Sequence, residues 1–263
     1  MAAAGGNAAP KMAFHEDEPY SSEKPALALL FSDTREERFS KSLDRLEPAL
    51  KGVGFNVKRF DGCSIVAVVR RELTSYGPQL GRFLFVYDGH GGMSDGHPKG
   101  LLCGNTSDPG GYVRVAELEA IADGALPSGV PKVFFLDCCF SEMSCAGPPK
   151  WRNDPATAHT HDIVFLRSSS EGKYGYGAAD GSGMLAFVAD SLLTYDNLTL
   201  EQLKHSIATP MHSFAGGKVE PMLIDGTSKP FTFVRGTAIR TLCVLRRAFC
   251  DTLLCALTLP NLF

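Results

Sequence analysis

The chain has 263 residues, 44% hydrophobic and 21% charged, enough to bury a sizeable core as one large domain or two small ones. A net charge of −3 lacks the basic surplus of a nucleic-acid footprint. No apolar run reaches the roughly eighteen residues that mark a membrane span, so neither nucleic acid nor a membrane crossing is expected.

Residues 1–25, "MAAAGGNAAPKMAFHEDEPYSSEKP", lack the charged start and apolar stretch of a signal peptide and read as a disordered leader. The eight cysteines (63, 103, 138, 139, 145, 243, 250 and 255) include no C-x-x-C pair. That argues against a disulfide framework or a zinc knuckle and for reduced thiols, in the cytoplasm or nucleus.

"ALALLF" (Ala26–Phe31) is apolar throughout, as a strand covered on both faces must be. "REERFSKSLDRLEPALKG" then sets Phe39, Leu43, Leu46 and Leu50 on one helix face, stopped near Gly52. Phe55–Phe60 predicts a second strand and Ser64–Tyr76 a second helix. Arg82–Asp88, "RFLFVYD", predicts another buried strand, running into the glycine-rich loop "GHGGMSDGHPKG". A helix over Val115–Ala122 and a strand over Lys132–Asp137 follow. Residues 146–161, proline-rich and polar, read as a linker. Asp162–Ser168 predicts a strand, a Gly-rich loop follows, and helices cover Met184–Leu193 and Leu200–Met211. "PMLI" and "FTFV" are strand-like. Alternating strands and helices predict an α/β fold, with a mainly parallel central sheet and helices on both faces. Residues 235–263, apolar with three cysteines and four arginines, fall outside that pattern.

Two buried strands end in reactive residues. One runs into "VYDGHGG" with His90 just past it, the other into "FFLDCC" with Cys138 and Cys139. In open α/β sheets, functional groups gather beyond the carboxyl ends of the strands. Forty-nine positions separate His90 from Cys139, room for one helical crossover. If the two strands are neighbours, the imidazole takes the thiol proton and Cys139 becomes a nucleophile. The amides of Gly91 and Cys139 would then hold a tetrahedral oxyanion. Cys138, on the opposite strand face, reads as packing. His97 is the rival base and reads as surface. One H-x-H at 159–161 without acidic or thiol companions reads as exposed linker, so no metal is expected.

"GHG" after one strand and "D-C-C-x-S" after the next core strand resemble the caspase–metacaspase superfamily of cysteine peptidases. The segment "GVPKVFFLDCCFS" is closer to the metacaspase Asp-x-Cys-His-Ser-Gly than to the caspase Gln-Ala-Cys-Arg-Gly, although Phe140 and Glu142 replace the usual His and Gly. "SSSEGKYGYGAADGSGMLAFVADSLL" resembles the small-subunit segment. The resemblance implies a caspase-haemoglobinase-like three-layer sandwich over residues 26–234: large-subunit-like 26–145, linker 146–161, small-subunit-like 162–234. It implies a Cys139–His90 dyad, protein or peptide substrates, and roles in programmed cell death, stress response or zymogen self-cleavage.

In caspases the residue two before the cysteine helps to hold an aspartate. Here it is Asp137, which repels acids and pairs with arginine or lysine. Asp33 is a candidate second carboxylate, although a caspase also takes an arginine from that loop, as Arg35 would supply. The alternative for Asp137 is a helix N-cap or turn residue, and Ser168 either touches substrate backbone or ends a strand. With basic specificity, Lys150 and Arg152 are candidate self-cleavage sites. No cofactor is required. The acidic loop of calcium-activated metacaspases is not evident between Met93 and Val115, where Asp95 and Asp108 stand alone. A homodimer stays open, because caspases pair through an edge strand and metacaspases mostly do not. A catalytically weak homologue acting as scaffold or regulator is the alternative.

Overall fold

The seven residues Ala26–Ser32 (β1) are buried from end to end, because apolar layers cover the strand on both sides. A computed structural model describes residues 24–94, 97–102, 112–139, 163–168, 177–216, 221–224 and 231–235. Within them, Glu37–Gly52 (α1) buries the stripe Phe39, Leu43, Leu46 and Leu50. Phe55–Asp61 (β2), Ile65–Tyr76 (α2), Arg82–Asp88 (β3), Val115–Ala125 (α3), Lys132–Asp137 (β7) and Ile163–Arg167 (β8) continue the alternation. Met184–Thr194 (α4) and Leu200–Phe214 (α5) complete the described helices. A reciprocal capping box between Thr199 and Gln202 starts α5.

The central sheet has six strands in the order β10-β8-β7-β3-β1-β2, with Met222–Ile224 as β10. Five run parallel, and β10 pairs β8 antiparallel. Successive side chains sort to opposite faces. Leu30, Leu84, Val86, Val133 and Phe135 pack with α1, α4 and α5 on one side. Phe31, Phe85, Phe134 and Leu136 pack with α2 and α3 on the other. The result is three layers, helices on sheet on helices, as the alternation predicts. The ladder also runs one residue past the strand ends. Asp33 N–H donates to the Asp88 carbonyl at 3.0 Å, Gly89 N–H to Asp137 at 3.2 Å and Ser168 N–H to Leu136 at 3.1 Å.

One reading needs correction. The glycine-rich segment after β3 is not simply a loop: Gly91–Ser94 (β4), His97–Leu102 (β5) and Tyr112–Val113 (β6) form a three-stranded antiparallel sheet. Its glycines serve close approach. A Cβ on Gly92 would lie 1.9 Å from the Tyr112 ring, and Gly100, at φ +127°, leaves a Cβ only 2.1 Å from the Val113 carbonyl. The strand-like "FTFV" supplies Thr232–Val234 (β11), which pairs with Asn197–Thr199 (β9) outside the central sheet. The leader before residue 24, the 146–161 linker with Lys150, Arg152 and the His159–His161 pair, Asp95, Asp108 and the segment 236–263 lie outside the described residues.

Candidate active site

Strand order reverses at β1. The crossover from β1 through α1 leads to β2 on one side, while β3 lies on the other. Such a switch opens a crevice beyond the strand ends, and here the chemistry-bearing loops meet in it. β3 and β7 are parallel neighbours with Asp88 opposite Asp137. His90 and Cys139 each come two residues later, so they leave the sheet at the same height. α3 lies in the crossover between the two strands. Both residues line one cleft of about 420 Å³, part of it open to solvent.

The two loops touch. A Cβ placed on Gly91 would lie 1.9 Å from the Cys139 carbonyl oxygen and 3.6 Å from Cys138 Sγ, so the backbones pack at a distance only glycine allows. The Tyr87 hydroxyl donates to the His90 carbonyl at 2.9 Å and pins the turn. Cys138 is buried among the apolar side chains of the α2–α3 face, and Cys139 is partly exposed in the cleft.

His90 has a partner that the strand-end motifs do not announce. Its Nε2 stands 2.6 Å from Oε1 of Glu36, in the loop between β1 and α1. Phe39, in the first turn of α1, meets the imidazole edge-on with ring centroids 5.1 Å apart. Arg38 reaches across the cleft, and its Nη1 donates to the Gly177 carbonyl at 2.9 Å.

The floor is acidic. Asp88 and Asp137 are both buried and both line the cleft. Burial pushes Asp88 well above the ordinary carboxyl range, and the Asp137 charge adds to that, against a hydrogen bond from Ser42. Burial also raises Asp137, opposed by Ser168 and by the Leu185 and Met184 amides. The Leu185 amide donates to Asp137 Oδ2 at 3.2 Å, so the carboxylate caps α4, whose N-cap residue Gly183 has no side chain to do so. Asp137 therefore caps α4 and lines the cleft as well. Arg38 is a cation whose charge reaches both carboxyls.

The other sequence candidates sit elsewhere. Asp33 is buried and bound by Arg35 through Nε, at 2.9 and 3.0 Å, and through Nη2. Burial lifts its pKa, but the Arg35 hydrogen bonds and charge outweigh that and hold it below the usual carboxylate range. The pair neutralises itself, and neither residue is among those lining the cleft. Ser168 is fully buried behind Asp137, close enough to favour its ionised form but short of full hydrogen-bond geometry. His97 stands opposite Ser94 in the β4–β5 pairing.

Sequence reasoning missed Glu36, Arg38, Ser42 and Asp88. One signal was available: "D-G-H" and "D-C-C" carry an aspartate at the same offset before the reactive residue. Among the described residues, no group of three or more His, Cys, Asp or Glu is placed to hold a metal ion, and no helix is long and apolar enough to cross a membrane. No protein-family model matches the chain, and a search of curated proteins finds no match.

Proposed function

We propose that this chain is a cysteine endopeptidase of the caspase–metacaspase type that cleaves after arginine or lysine. One observation carries the reading: His90 and Cys139 leave adjacent parallel strands at the same height and line a cleft floored by two buried carboxyls. His90 takes the Cys139 thiol proton, and the sulfur electron pair attacks the scissile carbonyl. The tetrahedral oxyanion is held by backbone amides, for which Gly91 and Cys139 are the candidates. Collapse expels the amine, which takes the proton back from His90 and leaves an acyl-enzyme that water hydrolyses. Asp137 and Asp88 select the basic side chain, because a cation entering between two desolvated carboxyls relieves their mutual repulsion. Programmed cell death or stress response, with self-cleavage at Lys150 or Arg152, belongs to this reading.

Aspartate preference is the second reading, favoured by the Arg38 guanidinium in the cleft. Against it, that guanidinium is already engaged by Glu36 and by the Gly177 carbonyl, and the floor beneath carries two acids. Fluorogenic peptides ending in arginine, lysine or aspartate, run on wild type and Cys139→Ala, separate the cases. The expected result is cleavage after arginine and lysine at least about tenfold faster than after aspartate, as a penalty of about 1.4 kcal/mol would give, with loss of activity in Cys139→Ala. Unchanged cleavage in Cys139→Ala would sink the mechanism, and preference for aspartate would sink the pocket argument. No cleavage of any peptide would favour a scaffold.

A further inference from the structure

Glu36 occupies the N-cap position of α1 but does not cap it with its side chain. Ser, Thr, Asp and Asn serve best there, so helix stability does not account for this residue. Its carboxylate turns to two other groups. Oε1 lies 2.6 Å from His90 Nε2, and Oε2 forms an ion pair with Arg38 Nε at 2.7 Å. Arg38 is itself held by the Gly177 carbonyl and by the Phe39 ring, over which its guanidinium lies at 4.8 Å. One oxygen is thus anchored and the other is presented to the imidazole. An ionised carboxylate only accepts, so the proton of the Glu36–His90 bond sits on Nε2. The neutral ring then keeps its lone pair on Nδ1.

We propose that Glu36 is the positioning residue of a Cys139–His90–Glu36 triad and holds His90 in the tautomer that receives the thiol proton at Nδ1. The proposal rests on the endopeptidase reading for its chemistry. When the Sγ–H bond breaks, its electron pair stays on sulfur and the proton goes to Nδ1. The imidazolium charge then lies against Glu36 in a charge-assisted hydrogen bond. A base oriented by a third group is the general pattern of activated nucleophiles. Here the third group comes from neither strand-end motif but from the loop that opens α1.

Glu36→Gln keeps the size and an acceptor but loses the charge, and Glu36→Ala loses both. The expected result is a kcat about tenfold or more lower in Glu36→Gln and lower still in Glu36→Ala, with KM within about twofold, because the charge-assisted strengthening of the Glu36–His90 bond, which develops only as His90 takes the proton, is removed. Nitrogen NMR of the His90 ring in the full chain reads the tautomer without any turnover: Nε2–H in wild type, and a mixture in Glu36→Ala. Nδ1–H in the wild type overturns the proposal, whether or not a peptide is cut. Cys139-dependent cleavage that both variants retain at full kcat overturns it and leaves the endopeptidase reading standing. A kcat loss that tracks a fall in melting temperature, with the tautomer unchanged, marks a structural role and also overturns it. If Glu36→Ala does not fold, Glu36→Gln and the wild-type spectrum decide. If wild type cuts nothing, the endopeptidase reading fails and the wild-type tautomer alone decides Glu36.

Discussion

Asp88 and Asp137 face each other across one rung of the sheet, and the proton balance of that rung sets a pH signature. Burial, with the Asp137 carboxyl beside it, pushes Asp88 well above the ordinary value of 3.8, so the folded chain binds that proton more tightly than the unfolded chain. The stability linked to the proton is full below 3.8 and is lost as the pH rises through the higher folded value. Asp88→Asn removes the titration. It should melt above wild type at about pH 8, with the gap closing toward about pH 4. For a domain of this size, about 2–4 °C corresponds to each kcal/mol, which thermal denaturation across that range resolves. A gap that stays constant with pH would clear Asp88 of the linkage. At this scale the sequence was half legible. Asp137 stood out because it ends a core strand beside the cysteines. Asp88 carried the same offset and was passed over. Glu36 and Arg38 lie in a charged run that reads as the solvated start of a helix, and only tertiary packing brings Arg38 to the cleft and Glu36 to the His90 ring. Asp33 reads as a candidate second carboxylate because the ring that Arg35 closes on it two residues later belongs to loop geometry rather than pattern.

The strands show why some elements were readable and others were not. β1, β3 and β7 are apolar on both faces, and such runs mark a strand under two layers without any knowledge of its neighbours. β4, β5 and β6 are short, the first two contain glycine, and they pair with one another, so nothing in their local composition distinguishes them from a loop. β11 alternates like a strand, but three residues of alternation say nothing about which partner it joins. The β4 hairpin also bears on activity, because its first residue packs on the Cys139 carbonyl. Gly91→Ala forces one of the two backbones to move. Cleavage should fall by about 100-fold, the cost of roughly an ångström of misplacement, while the melting temperature drops by only a few degrees. Equal activity in Gly91→Ala would mean that the two loops yield independently.

Across the whole molecule, the alternation of strands and helices fixes an α/β architecture, while the strand order, and with it the position of the crevice, comes from long-range pairing that no local pattern contains. Within that architecture the three backbone bonds that extend the ladder beyond β1, β3, β7 and β8 have a consequence for how the protein ages in heat. The amides of Asp33, Gly89 and Ser168 are tied to the same rows as the central strands, so the first residue past each of these strand ends opens with the sheet. Hydrogen exchange at Asp33 and Gly89 should therefore be as slow as in the middle of β3, and inactivation on warming should coincide with the loss of the far-ultraviolet signal. Activity lost about 10 °C or more before the fold would show a locally melting site. On the peptidase reading, activity and fold are therefore expected to be lost at one temperature.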